Sequence, residues 1–415
     1  MTKDNNFYGD KVVTRFANPS EMGTSEDFYG IQWTLNSRNV MITGPSRIGN
    51  ETLHKTLPIQ SKMKRCMVSD NGEVKYISSS DYKYFEDGTN VNYQDTTKQC
   101  MVEIPEYYYY VAKRQNHDGS INCQIRLYPE YKAGAKKSRK VYVSAWEATS
   151  DGSKLMSVMG YGDGKPISNL TRAQFRQKAA ARGAGWTQQY WNQYMAVVRL
   201  YVVEYCNFNT QADFISSLDH GFKQGGLRQG VSNYSNWASI GYAPFVDCGI
   251  TYSLSNETGV ISYTYDNTDI HVPSYRGIEN PFGHIWKWMD GINIYGDSVN
   301  NKSLIYVCDD ITKFADDTTD NYVLKSSSAV YGTEGYIKTW NWDQDGDFIP
   351  LTQGGSSDTY LCDYSWFQNA GWKVLYSGGR AADGSACGWF CFDASVGSGY
   401  AGAKFGGRLC YTPSN

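Results

Sequence analysis

The side chains able to do chemistry in this 415-residue chain are few, and their spacing excludes more than it suggests. Cysteines stand at 66, 100, 123, 206, 248, 308, 362, 387, 391 and 410 without a CxxC pair. Neither a zinc ribbon nor a thioredoxin-type centre is indicated, and reduced, mostly buried thiols are expected. Cys387 and Cys391 form the one pair suited to covalent chemistry, because a thiolate near a second thiol or a copper ion is reactive. With no histidine or basic cluster close by in sequence, small buried residues on a strand are the favoured reading. His54, His117, His220, His271 and His284 fall at neither HxxxH nor HExxH spacing, so a zinc hydrolase is unsupported. His284 alternates with apolar neighbours in Gly-His-Ile-Trp-Lys-Trp and is expected on the outward face of a strand. A GxSxG elbow and a phosphate-binding P-loop are both absent.

Two further patterns invite a site and are set aside. Asp343, Asp345 and Asp347 place carboxylates at alternate positions, as hard oxygen-seeking cations prefer, but the distal glutamate of an EF-hand loop does not follow. A plain acidic turn is expected there, and no metal or other cofactor. Gly397-Ser-Gly-Tyr-Ala-Gly402 spells GxGxxG, yet a dinucleotide site needs a following helix and an acidic residue about 20 positions on, and the sequence given stops at Asn415.

Composition sets the scaffold that would carry any site. Aromatic residues make up 15% and charged residues 20%, and 34 Tyr with 41 Gly favour strands joined by turns over helices. A net charge of -3 gives no electrostatic reason for nucleic-acid binding, and the basic run Lys132 to Lys140 reads as a solvated loop. The N-terminus MTKDNNFYGDKVV lacks a signal-peptide core, and no apolar run approaches the roughly 20 residues of a membrane span. A chain made in the cytoplasm without membrane insertion is expected.

Turn signals at Asp70-Asn71-Gly72 and Asp87-Gly88 mark residues 1–100 as a small β-rich unit, with a larger unit over 101–415 beginning at Met101 to Pro105. Only two helices are expected. The first is capped by Thr171, with Gln174 completing a capping box, Leu170 and Phe175 as a hydrophobic staple, and Gly183 as its end. The second is expected to start at Thr187 with Trp186 and Trp191 in staple positions; Trp191, Met195, Val198, Val202 and Tyr205 then form a core-facing stripe. Short strands separated by Gly, Asn, Asp and Ser follow, which gives an α+β class with many short antiparallel strands.

The run from Tyr275 to Gly291, Tyr-Arg-Gly-Ile-Glu-Asn-Pro-Phe-Gly-His-Ile-Trp-Lys-Trp-Met-Asp-Gly, resembles the signature strand of the C-type lectin fold in its formylglycine-generating-enzyme-like branch. Gly378-Gly379, Gly388-Trp389-Phe390 and Gly406-Gly407-Arg408-Leu409 resemble that branch's closing motifs. Over nearly the whole chain, Phe28-Tyr-Gly-Ile-Gln-Trp33, Arg47-Ile-Gly-Asn50, Leu57-Pro-Ile-Gln-Ser61, Met101-Val-Glu-Ile-Pro105, Asn169-Leu-Thr-Arg-Ala-Gln-Phe175 and Gly354-Gly-Ser-Ser357 resemble bacteriophage tail-fibre or receptor-binding proteins. In several of these the lectin domain is the target of a diversity-generating retroelement, in which error-prone reverse transcription replaces template adenines.

The resemblance implies a variable segment over about 363–411. Arg380, Ala381, Ala382, Asp383, Val396, Gly397, Gly399, Tyr400 and Gly402 are reachable from an adenine-rich Asn codon and would vary, whereas Gly378, Gly379, Gly388, Phe390, Gly406, Arg408 and Leu409 would hold the scaffold. Lys404 joins the ligand-facing set but needs a third-base change. A variable surface requires side chains outside the core, since buried substitutions cost roughly 2–5 kcal/mol and exposed ones about 0.5. Tyrosine with Gly, Ser and Asn is also the vocabulary of antibody loops.

The implied function is a non-enzymatic tail adhesin that binds a host-cell surface receptor, with the N-terminal unit attached to other phage tail proteins. The Glu-Pro-Asn motif of calcium-dependent lectins is absent, so a protein and a surface glycan are both open as receptor. Trp366, Phe367, Trp372 and Trp389 supply either aromatic contact area or core. The alternatives are a formylglycine-generating-type oxidase using Cys387 and Cys391, and a structural tail component without a ligand. Fibre proteins commonly form trimers, but no heptad region directs a homotrimer here.

Overall fold

Alternating apolar residues run through much of the chain and fold, as their period of two requires, into antiparallel sheets with few helices. The computed structural model describes residues 24–35, 45–329, 331–341, 345–367 and 370–414. Its class is α+β and strongly β-rich. Three α-helices are present among the described residues: α1 (Glu51–Thr56), α2 (Arg172–Ala180) and α3 (Trp191–Tyr205). None of them is long and apolar enough to cross a membrane.

Three large sheets organise the molecule. A five-stranded sheet runs in the order Ser46–Gly49, Tyr29–Thr34, Ile121–Tyr128, Tyr107–Gln115, Lys136–Ser138. A six-stranded sheet runs Trp186–Gln188, Leu409–Tyr411, Val141–Ser144, Lys98–Ile104, Lys64–Ser69, Val74–Tyr76. The nine-stranded sheet has Trp286–Asp297 near its middle, between Lys302–Val307 and Gly371–Ser377, and Phe405–Gly406 joins it in parallel. Trp286–Asp297 is buried along almost its whole length, and the polar residues it carries inside, Lys287, Asp290 and Asn293, are each paired: Lys287 with Glu147, Asp290 with Arg176 and Asn293 with Arg172.

The boundary expected at residue 100 falls inside the strand Lys98–Ile104. On one side Cys66 pairs with Met101; on the other Val102 pairs with Val143, which in turn faces Cys410. Tyr29–Thr34 likewise pairs with Ile121–Tyr128. One hydrophobic cluster runs from Tyr29 through α3 to Cys410, so the described part of 1–100 shares its sheets and core with the rest.

Helix α2 begins as its sequence requires. The Thr171 hydroxyl accepts from the Gln174 N–H at 3.2 Å, the Gln174 side chain accepts from the Thr171 N–H at 2.9 Å, and Leu170 packs on the cluster holding Phe175. Helix α3 buries every residue except Asn192, more than its stripe predicts. Its start differs from the expectation. Trp186–Gln188 is a strand on the C-terminal Leu409–Tyr411, and the helix begins at Trp191 with Tyr190 as its cap residue. The Trp186–Trp191 staple therefore does not form: Trp186 packs on Tyr411 at 4.8 Å and Trp191 on Phe392 at 5.6 Å. Helix α1 is an addition to the two expected, short and capped by the Asn50 side chain on the Leu53 N–H at 3.1 Å.

The basic run also differs from a free loop. Lys136–Ser138 adds a strand beside Tyr107–Tyr109, Lys136 pairs with Asp345, and Lys137 pairs with Glu106 at 2.7 Å.

Candidate functional site

The closing strands are held by buried groups that leave the intervening loops outside. Gly379 has φ 79° and a Cβ there would overlap the Cys387 sulfur; Gly388 has φ 152° and a Cβ would overlap the Asp363 carboxylate. Glycine is required at both by conformation and by space. The Phe390 N–H donates to Asp363 at 2.7 Å, and burial pushes that carboxyl well above the ordinary range. Arg408 is fully buried and donates to the carbonyls of Ser144, Glu279 and Asn280, while the Leu409 N–H reaches the Ser144 hydroxyl at 3.3 Å. All seven expected scaffold positions, Gly378, Gly379, Gly388, Phe390, Gly406, Arg408 and Leu409, are buried.

His284 belongs to this frame and not to an outward strand face. It has φ 62° and no exposure, because its ring bridges two loops. Its Nε2 accepts from the N–H groups of Phe245 and Val246 at 3.0 and 3.1 Å, which places the proton on Nδ1, facing Glu147 at 2.5 Å. Glu147 also pairs with buried Lys287 at 2.8 Å. Burial alone would raise the Glu147 carboxyl, but Lys287 and His284 hold it at about 2.

Five strands bring a second set of side chains together by register. Asp393 stands opposite Tyr376 on one side and Trp366 on the other, and Trp286 stands opposite Phe405. Trp286 meets Trp366 edge-on at 5.5 Å and Tyr376 at 5.0 Å. These residues form the floor of a pocket of about 140 Å³ whose rim is Arg380, Asp383, Val396, Tyr400 and Lys404. Five of the ten residues expected to face a ligand thus converge on one cavity.

Its polar groups are opposed in charge. The Arg380 Nε donates to Asp383 at 2.7 Å, and the guanidinium lies 5.6 Å from the Trp237 ring. Asp393 accepts from the Ser395 N–H at 2.8 Å and from its hydroxyl at 2.5 Å, while Tyr376 bonds the same hydroxyl at 2.9 Å. Burial still pushes the Asp393 carboxyl up to about 6, and raises Asp383 against the pull of Arg380. Burial, followed by Arg380, lowers the Lys404 ammonium, which stands 5.6 Å from the Phe405 ring.

The remaining expected residues separate by environment. Ala382 and Gly399 are exposed, and Gly397 and Gly402 are partly exposed in the loop leading to Lys404. Ala381 does not belong with them. It is fully buried among residues that include Trp237 and Ile285, and its backbone bonds His284 and Tyr234, so substitution there enters the core. Trp366 is half-buried at the pocket and Trp372 half-buried beside Tyr295, whereas Phe367 and Trp389 are core. Sequence reasoning missed Trp286, Tyr376, Asp393, Ser395 and Phe405, which no short-range pattern joins.

Asp345 is engaged by Lys136 and Lys325; Asp347 accepts from the Trp191 indole at 2.9 Å and faces Arg199 at 3.5 Å. Both are counter-ions to cations, while Asp343 lies outside the described residues. Cys387 and Cys391 are buried, and burial pushes both thiols well above their ordinary value; the Cys387 thiol donates to the Arg380 carbonyl at 3.3 Å. A thiolate nucleophile is disfavoured at both. Compared with known proteins, the chain matches no protein-family model and no curated protein.

Proposed function

We propose that this chain is a non-enzymatic receptor-binding protein of a phage tail, with a C-type lectin-like fold whose closing loops form the receptor site. The observation that carries this reading is the division of labour in residues 378–409. Residues that set the fold are buried and glycine-restricted, whereas Arg380, Ala382, Asp383, Val396, Gly399, Tyr400 and Lys404 sit on a rim or in open loops. The exposed positions Ala382, Gly399 and Tyr400 tolerate sequence change with little effect on folding, which is what retroelement diversification demands. The buried, neutral thiols at 387 and 391 give the cysteine-oxidase alternative no comparable support.

The test is adsorption of the purified chain to prospective host cells, paired with deep sequencing of codons 363–411 in a growing phage population. Saturable binding weakened by Tyr400→Ala with Lys404→Ala, and substitutions concentrated at the rim, are expected. A chain that adsorbs to no cell while remaining folded would favour a structural tail component, and an invariant segment would remove the diversification claim.

A further inference from the structure

The pocket contains two parts of different origin. Its rim is made of positions expected to vary, whereas its floor of Trp286, Trp366, Tyr376, Asp393 and Phe405, all but Trp286 within 363–411, is not among those positions and is set by strand register inside the nine-stranded sheet. The aromatic floor residues belong to the packing of the sheet; on the rim, Val396 and Tyr400 touch that packing from outside, and Arg380, Asp383 and Lys404 form its polar edge. Whatever the rim contributes, the floor therefore fixes one kind of chemistry.

That chemistry is narrow. Drug-sized ligands occupy pockets of about 300–1,000 Å³, so about 140 Å³ admits a single small ring. Two carboxyl groups, Asp383 and Asp393, oppose two cations, Arg380 and Lys404, so neither a phosphate nor a quaternary ammonium finds a field of one sign. A hydroxyl group both donates and accepts, and a ring bearing several satisfies acids and bases together. The aromatic walls suit a flat face of C–H groups, and Tyr400, on the rim at 5.2 Å from Phe405, is placed to cover it.

Building on the receptor-binding reading, we propose that the pocket takes one neutral saccharide ring, with the fixed floor recognising the ring and the variable rim selecting which sugar. Asp393 is the group that receives the ring's hydroxyl donors, and Lys404 supplies a donor from the opposite side. No metal is required by this arrangement of side chains.

The experiment titrates the purified full chain with glucose, galactose, mannose and N-acetylglucosamine, with inorganic phosphate and tetramethylammonium as charged controls. Binding is read by tryptophan fluorescence and saturation-transfer NMR, and each compound is tried as a competitor of cell adsorption. At least one neutral sugar is expected to bind with Kd on the order of 1 mM. Asp393→Asn is expected to weaken it by about tenfold through loss of charge-assisted hydrogen bonds, with the far-UV spectrum unchanged. Tyr400→Ala and Lys404→Ala are expected to reorder preference among the sugars. If the chain adsorbs to cells but no sugar binds or competes, or if phosphate or tetramethylammonium binds better than every sugar, the saccharide assignment is overturned while the adhesin reading stands. Failure of a folded chain to adsorb to any cell would instead overturn the adhesin reading.

Discussion

Asp393 is the residue at which folding and the proposed binding oppose each other. It stands almost buried between Tyr376 and Trp366, and even with Ser395 donating twice its carboxyl titrates at about 6, above the ordinary 3.8. A carboxyl raised on folding binds its proton more tightly in the native state. Its contribution to stability is therefore complete below about pH 4, declines as pH rises through about 6, and is absent at neutral pH, where the charge is held against burial. Asp393→Asn keeps the acceptor for Ser395 and removes the charge. The variant is expected to be more stable than the parent at pH 7.5, by on the order of 3 kcal/mol, with the gap closing toward pH 4. Urea unfolding of both proteins across that range measures it, and a gap independent of pH would show that burial of the charge is not the cause. A more stable variant that binds its ligand less well is the expected signature of a functional carboxylate kept in an unfavourable place.

At the scale of elements, α2 is held by its cap and by the two arginines of its first two turns. Arg172 reaches the carbonyls of Met289 and Ile292 at 3.0 and 2.6 Å and the Asp316 carboxylate at 2.6 Å, while Arg176 pairs with Asp290 at 2.7 Å. These contacts fasten the helix to the strand that contributes Trp286 to the pocket. Thr171→Ala is expected to cost about 1 kcal/mol, measured by denaturant unfolding, with Thr171→Ser close to neutral; equal loss in both would place the effect in packing instead of the cap. The cap was legible in sequence because its bonds lie within four residues. The strand Trp186–Gln188 was not, because its partner Leu409–Tyr411 is more than 200 positions away and the local pattern suits a helix start equally well. The same distinction separates rim from floor. Arg380, Asp383, Val396, Tyr400 and Lys404 lie in one unusual stretch of small and polar residues, whereas Trp286, Trp366, Tyr376, Asp393 and Phe405 meet only through register. His284 misled for a related reason: alternation with apolar residues fits an outward strand position, and nothing nearby reveals that Glu147 awaits its ring.

For the whole molecule, the sheet order argues against independent halves. Leu409–Tyr411 lies between Trp186–Gln188 and Val141–Ser144, and the same sheet continues through Lys98–Ile104 to Lys64–Ser69 and Val74–Tyr76. Arg65, fully buried, donates to the carbonyls of Gly277, Thr251 and Tyr252 at 2.9–3.0 Å, and its guanidinium stacks 4.5 Å from the Trp146 ring. A fragment of residues 101–415 would lose the strand Lys64–Ser69 and the first three residues of Lys98–Ile104, expose one edge of what remains of that strand and leave the carbonyls around Thr251 without their donor. It would also strip Tyr29, Ile31 and Trp33 from the core shared with α3. The fragment is expected to be expanded, to lack cooperative thermal unfolding and to bind no cells, whereas the full chain unfolds in one main transition. Calorimetry and proton NMR dispersion on both proteins decide this. A 101–415 fragment that melts cooperatively and keeps its pocket would place the structural boundary back near residue 100 and make the N-terminal strands an accessory layer. Failure to fold would mean that the pocket depends on the first hundred residues through the continuous sheet, so that a cavity built near one end of the sequence is stabilised by strands from the other.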